Sequence, residues 1–555
     1  MGDSPATRQA AGAPAQTGSG LRGQDVVTTA RQLALHSLKH PARNVRHLLS
    51  LGNQLRRIAL GEMLHRPDPG DVRFADPTWH QHPLYRRVLQ AYLAGTQQLR
   101  HWVDDSQLSP DDQARARFLA EQLSAALSPS NSPLNPKAVK ALFDSAGASM
   151  LNGARQLLED WLHNGGLPRQ VDPHAFEVGH NLATTPGRVV FRNEVLELIQ
   201  YRPMSEYQHE RPLLIVPPQV NKFYIFDLSA DKSFVQYCLR NDLQTFIVSW
   251  RNPDPKHRDW DLAHYINALE QAIEATLAIT DSRSLNLLGA CAGGLTIAAL
   301  QGYLQARRQL RKINSATYLV TLLDSQINTP PMLFADEQAF EQAKRRSYLS
   351  GVLDGRDMAR VFAWMRPNDL IWSYWVNNYL LGRTPPAFDI LHWNNDNTRL
   401  PAALHGQLLD FFRDNPLARP GGWSIGEHAI DLSKVRLDSY SVAGINDHIT
   451  PWDAVYCSAR LLGGNRQFVL ANSGHIQSIL NPPGNPKAFY WRAEPLADDA
   501  PHWQQQAPRH EGSWWPDWLD WLKARAGARR TVHMSLGNSA YPPLEEAPGH
   551  YVHIR

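Results

Sequence analysis

Residues 284–294 read Ser-Leu-Asn-Leu-Leu-Gly-Ala-Cys-Ala-Gly-Gly, and this segment constrains the fold more tightly than any other in the chain. Leu285–Leu288 suit a short buried strand. Gly289 and Gly293 frame Cys291, and their lack of a side chain leaves room for a strained strand-to-helix turn with the cysteine at its tip. A helix expected over Ala292–Arg307 then points its first backbone N–H groups, the positive end of its dipole, at the thiol.

The surrounding pattern agrees with such a turn. Arg188–Phe191 and Val195–Tyr201 read as a hairpin pair, and Pro212–Val216 and Thr245–Trp250 as buried strands. Between Asp259 and Thr280, Leu262, Ile266, Leu269, Ile273 and Leu277 recur at helical spacing. A strand over Ala316–Leu323 follows the elbow and its helix. Later strands are expected at Leu437–Ala443 and, last, at Gln467–Leu470. Alternating strands and helices predict a mostly parallel sheet with helices on both faces. With the elbow, this is an α/β chain of the α/β-hydrolase fold.

Three further regions complete the organisation. Residues 1–23, rich in Ala, Gly, Pro and Gln, read as a disordered tail, and residues 24–180 as a mainly helical N-terminal domain. Residues 181–555 form the catalytic domain. Within it, about 326–426 reads as a helical insertion at the place where α/β-hydrolases commonly carry a cap. That insertion holds Phe362, Trp364, Trp372, Tyr374, Trp375, Tyr379 and Trp393, read as core residues rather than ligand contacts. Trp514, Trp518 and Trp521 share one helix face, which with Trp515 is expected to dock on the body of the protein.

Composition excludes several classes. A net charge of +3 with 20% charged residues does not suggest a nucleic-acid partner. Three cysteines, none at metal-ligand spacing, argue against a disulfide framework or a metal site, and no cofactor is expected. Cys238 and Cys457 read as small core hydrophobes. No apolar run approaches the ~18 residues of a membrane span, so a cytoplasmic protein is expected.

A cysteine at an elbow needs a base, and the base needs a carboxylate to orient it. In this fold they follow in the order nucleophile, acid, histidine, each after a strand. The strand at Leu437–Ala443 runs into Asp447, and the strand at Gln467–Leu470 runs into His475. Asp447 is therefore the expected acid, with Asp324 as its competitor, and His475 the expected base. His448 is a possible supporting residue, equally readable as structural. The oxyanion hole is expected to use the N–H of Ala292 and one from Pro217-Pro-Gln-Val-Asn221. Pro217 and Pro218 have no N–H, which leaves Gln219 or Val220, with Val220 favoured. A thioester on Cys291 would lie close in energy to an acyl-CoA thioester, so acyl transfer to an alcohol is feasible.

Longer segments carry a more specific resemblance. Gly289–Gly294, Pro217–Asp227, Val361–Ile371, Tyr374–Gly382, Asn446–Trp452 and Ser473–Gly484 resemble polyhydroxyalkanoate synthases, most like the medium-chain-length (class II) type of pseudomonads and the second of its two paralogues. The resemblance runs from about Leu21 onward. It implies polymerisation of (R)-3-hydroxyacyl-CoA into a polyester with release of CoA, through an acyl-cysteine on Cys291. It also implies Asp447 and His475 as catalytic partners, a homodimer, and attachment to polyhydroxyalkanoate granules and their associated proteins. Whether Asp447 acts on the attacking hydroxyl directly or through His475 stays open. The rival readings are an acyl-CoA thioesterase or polyester depolymerase using the same three residues, and an inactive scaffold that keeps the fold.

Overall fold

The computed structural model describes residues 29, 31, 33, 35–326, 337–532 and 534–555. The expected tail at residues 1–23 and the first part of the expected insertion lie outside these. Ten strands form the main sheet: β1 (Gly187–Arg192), β2 (Leu196–Tyr201), β3 (Leu213–Val216), β4 (Thr245–Trp250), β5 (Leu285–Ala290), β6 (Ile313–Leu319), β7 (Asp438–Gly444), β8 (Arg466–Ala471), β9 (Phe489–Arg492) and β10 (Arg509–Glu511). Their order across the sheet is β1-β2-β4-β3-β5-β6-β7-β8-β9-β10. The six strands from β4 to β8 pair in parallel, and the outer pairs on both sides are antiparallel.

Side-chain alternation explains why the central strands read as continuous apolar runs. Leu214, Val216, Leu285 and Leu287 enter one core, whereas Leu213, Ile215, Leu288 and Ala290 enter the other. The helices Leu262–Thr280 and Ala292–Ala306 cover the first face through Ile266, Leu269, Ile273, Ile297 and Leu300. The helices Phe234–Arg240 and Trp515–Lys523 cover the second. All four tryptophans at 514, 515, 518 and 521 are buried there, as their spacing predicts.

Four details differ from the sequence reading. The strand expected over Ala316–Leu323 occupies Ile313–Leu319, because the chain turns out of the sheet at Val320 with φ 45°. β8 is not the last strand: β9 and β10 extend the sheet. β10 is wholly exposed and β9 mostly half-buried, so neither carries the apolar pattern that reveals a central strand. Cys457 is exposed rather than core, since it lies on the outer face of the helix Trp452–Arg460, whereas Cys238 is buried. In the insertion Tyr379 and Trp393 are buried, Trp372, Tyr374 and Trp375 half-buried, and Trp364 exposed.

Upstream of the sheet the chain is helical, with Pro41–Ala59, Pro83–Asp104, Pro110–Ala126 and Pro136–Asp144 each opening on a proline. Proline suits the first helical position, where its missing N–H has no helical partner to lose. The helix Ala148–His163 packs on the segment between β6 and β7. There the Tyr379 hydroxyl donates to the buried Asp160 carboxylate at 2.8 Å, and Arg169 Nε donates to the same carboxylate at 2.6 Å. Among the described residues no helix is long and apolar enough to cross a membrane.

Candidate active site

β5 ends at Ala290, and Cys291 stands between it and the helix Ala292–Ala306 with φ 49° and ψ −120°. Backbone in this region is strained for a residue with a side chain. The fold holds it by several contacts. The Cys291 N–H donates to Leu319 C=O of β6 at 2.9 Å. The carbonyls of Val216 and Pro217 press so closely on Gly293 that a methyl there would lie 2.2 and 2.5 Å from them. Glycine at 293 is thus the residue that lets the β3 exit loop lie directly on the elbow. Cys291 itself is partly exposed.

Asp447 follows β7 and is 6% exposed; His475 opens the short helix His475–Ile479 after β8 and is 8% exposed. His475 Nδ1 and Asp447 Oδ2 lie 2.6 Å apart. The carboxylate is otherwise saturated. Oδ1 accepts from the Ile449 and Thr450 N–H groups at 2.8 and 2.9 Å, and Oδ2 from the Thr450 hydroxyl at 2.7 Å. Burial opposes charge on Asp447, but the facing imidazole and the Thr450 donors outweigh it and hold the carboxyl below its usual range. Burial likewise opposes charge on His475. Asp447 outweighs it, aided by a hydrogen bond and attraction from Cys291, and the ring is pushed up to about 10. Asp447 thus pairs directly with His475, and Cys291 acts on the same imidazole electrostatically.

The competitor Asp324 is elsewhere: its Oδ1 accepts from Asn415 Nδ2 and the Gln326 N–H. His448 is half-buried beside the pair, and its buried Nδ1 has no hydrogen-bond partner among the described residues. Burial and then the Arg366 guanidinium lower its pKa, with Asp447 opposing; His475 and Asp369 act on it more weakly. Arg366 and Asp369, between β6 and β7, thus act on His448 electrostatically. Ala292 sits at the first turn of the elbow helix. Neither its N–H nor those of Gln219 and Val220 pair with a backbone carbonyl among the described residues. The Gln219 side chain donates to Thr296 Oγ1 at 2.8 Å, and Val220 packs on the adjoining core.

One supporting residue escaped the sequence reading, and one expected element has a target the sequence did not show. Thr450 binds Asp447 and also lies 3.2 Å from His475 Nδ1; an Asp followed three residues later by Thr is the local signal, a turn in which the acid caps its own backbone. The tryptophan helix is the other. Trp514 and Trp515 donate their indole N–H groups to the carbonyls of Ser478 and Ile479, at 2.8 and 3.2 Å. These bonds cap the C-terminal end of the helix that presents His475.

Residues 214–482 match the family described as alpha/beta hydrolase fold, which agrees with the strand order, the elbow and the acid–histidine pair and puts the chain in that class. Residues 70–238 match the family described as poly-beta-hydroxybutyrate polymerase N-terminus. The chain is 63% identical over 536 residues to poly(3-hydroxyalkanoate) polymerase 2 of Ectopseudomonas oleovorans, covering 97% of this chain and 96% of that one. Polymerase 1 of the same organism is 52% identical over the same shares. The poly(3-hydroxyalkanoate) polymerase subunit of Cupriavidus necator is 38% identical, over 87% of this chain and 83% of its own. The chain belongs to the poly(3-hydroxyalkanoate) polymerase family and is an acyltransferase.

Proposed function

We propose that the protein joins medium-chain (R)-3-hydroxyacyl units from CoA into a polyester through an acyl-Cys291 intermediate. The observation that carries this reading is the shared imidazole: His475 is bonded to Asp447 at 2.6 Å and interacts with Cys291 on the same ring. The names of the relatives supply the polymer class. In the first half-reaction the Cys291 proton passes to His475, and the thiolate attacks the thioester carbonyl. The Ala292 N–H, with that of Val220 or Gln219, stabilises the oxyanion. The bond from carbonyl carbon to CoA sulfur then breaks, and the departing thiolate takes the imidazolium proton. The ring is left neutral. In the second half-reaction the 3-hydroxyl of another unit gives its proton to His475 and attacks the acyl-Cys291 carbonyl. Ester forms, the thiolate leaves, and the ion pair is restored.

The saturated Asp447 carboxylate supports a route through His475 over direct action on the hydroxyl, because each oxygen already accepts two hydrogen bonds. Water must be kept from the acyl-cysteine, or each turnover would end in hydrolysis. The helical segment carrying Arg366 and Asp369 is suited to that task as a cap. The exposed Leu48, Leu49, Leu151, Leu158, Trp161 and Leu162 of the N-terminal helices support a further part of the reading, seating on an apolar polymer granule.

Purified protein incubated with (R)-3-hydroxydecanoyl-CoA is expected to release CoA and accumulate polyester, with both lost in Cys291→Ala. Release of CoA with only free 3-hydroxydecanoate would make the acceptor water and overturn the polymerase reading.

A further inference from the structure

The β3 exit loop, residues 217–222, is gripped from three sides. On one side its first carbonyls rest on Gly293 of the elbow. On the second, the segment between β6 and β7 closes on it. Trp393 Nε1 donates to Lys222 C=O at 2.8 Å, Thr398 Oγ1 donates to Gln219 C=O at 2.7 Å, and Asn397 pairs with Asn221 in an isolated bridge. On the third side runs the segment Tyr551–Ile554. Lys222 Nζ donates to Ile554 C=O at 2.7 Å, and Asn252 Nδ2 donates to the same oxygen at 3.3 Å. Asn252 Oδ1 in turn accepts the Arg399 N–H at 2.9 Å. One carbonyl therefore ties together the β3 loop, the β4 exit and the segment between β6 and β7.

That segment is itself anchored. The N–H groups of His550 and Tyr551 donate to the fully buried Glu197 carboxylate at 3.0 and 2.9 Å, and the Tyr551 hydroxyl donates to Asn193 C=O at 2.7 Å.

Lys222 is the anomaly in this arrangement. It is 3% exposed, makes no ion pair among the described residues, and places its ammonium on a single neutral carbonyl. Burying a charge with so little compensation is unfavourable, and an apolar side chain of similar length would pack there without that cost. A role in stability alone does not account for it. We infer that Lys222 is a positioning residue for acyl transfer: its ammonium, seated on the Ile554 carbonyl, fixes the loop that presents the Gln219 and Val220 N–H groups to the elbow. The inference rests on the proposed role of that loop in binding the oxyanion.

The charge on Lys222 is within reach of ordinary pH. Burial lowers the ammonium to about 8, with Asp396 opposing and Arg555 and Arg399 adding to the shift. Asp396 is itself engaged, accepting from the Tyr224 hydroxyl at 2.9 Å. Below about 8 the loop is tethered by a charged donor; above it the tether weakens to that of a neutral amine.

The test uses the full chain and its Lys222→Met and Lys222→Arg variants. CoA release from (R)-3-hydroxydecanoyl-CoA is followed on both sides of pH 8, with thermal melting of each variant. Lys222→Met is expected to lower kcat about tenfold to a hundredfold, as loss of alignment does, with KM little changed. The parent profile is expected to fall near pH 8, and the Lys222→Met profile to lack that fall. Lys222→Arg, charged throughout this range, is expected to recover kcat in part and move the fall to higher pH. A Lys222→Met chain with the parent kcat and pH profile overturns the inference. So does a fall that stays near pH 8 in Lys222→Arg, whether or not the methionine variant folds. The two readings separate in the Cys291→Ala control. If that control still releases CoA, the proposed function fails; if Cys291 is required and the lysine variants match the parent, only the positioning role fails.

Discussion

At the scale of single residues, the site divides exposure from burial. Cys291 is partly open to an incoming thioester, whereas Asp447 and His475 are buried and hold each other's charge. The proton consequence has a definite sign. A histidine held above its ordinary value stays imidazolium as pH rises, and gives up the proton only on passing about 10. Asp447→Asn removes the main source of that upward shift and leaves the opposing burial. The His475 ring, followed by nitrogen-15 NMR of labelled histidine, is therefore expected to titrate well below its parent value in the variant. CoA release should fall on the order of a thousandfold or more, by analogy with other carboxylate–histidine–nucleophile sites. An unchanged His475 titration would contradict the assignment of Asp447 as the group that charges the ring.

At the scale of elements, the sequence spoke clearly where burial was one-sided or complete. β3, β4 and β5 are buried along their whole length and mostly apolar, and the helix Leu262–Thr280 repeats leucine and isoleucine every three or four residues, so each was legible. The elbow was legible because two glycines at fixed spacing have few other uses beside a cysteine. β9 and β10 were not, because short edge strands have little apolar face to display. Lys222 was hidden for another reason: its partner, Ile554, is distant in sequence and meets it only on folding, as is true of the contact of Thr450 with His475. The tryptophan helix was seen as a docking element, yet its target was not visible. Trp514→Phe keeps the ring and removes the N–H donated to Ser478 C=O. It should cost about 1–3 kcal/mol, measured by denaturant unfolding, by orphaning a buried carbonyl. Because Ser478 lies in the helix that presents His475, kcat should fall more than KM rises. Unchanged stability and kcat would show that this cap does not hold the helix.

At the scale of the whole molecule, the helical region before the sheet and the segment between β6 and β7 share an interface built on Asp160. Arg169 and Tyr379 both donate to that buried carboxylate, and Asn378 Nδ2 donates to Arg169 C=O at 2.7 Å. The same segment touches the β3 loop through Trp393 and Thr398, so the N-terminal helices connect to the site through it. Tyr379→Phe removes one donor from Asp160 while leaving the arginine. A loss of about 1 kcal/mol in unfolding free energy is expected, with chemistry at Cys291 retained. A variant as stable as the parent would show that the tyrosine hydroxyl adds nothing to this junction.

The proposed chemistry turns on a covalent acyl group on Cys291. Rapid mixing of the protein with (R)-3-hydroxydecanoyl-CoA, acid quenching and mass spectrometry of the Cys291 peptide tests it most directly. A 3-hydroxyacyl adduct is expected on that peptide within the first turnover, absent from Cys291→Ala and growing by whole hydroxyacyl units as substrate is consumed. Polymer formation with Cys291 unmodified, or an adduct that persists in Cys291→Ala, would contradict it.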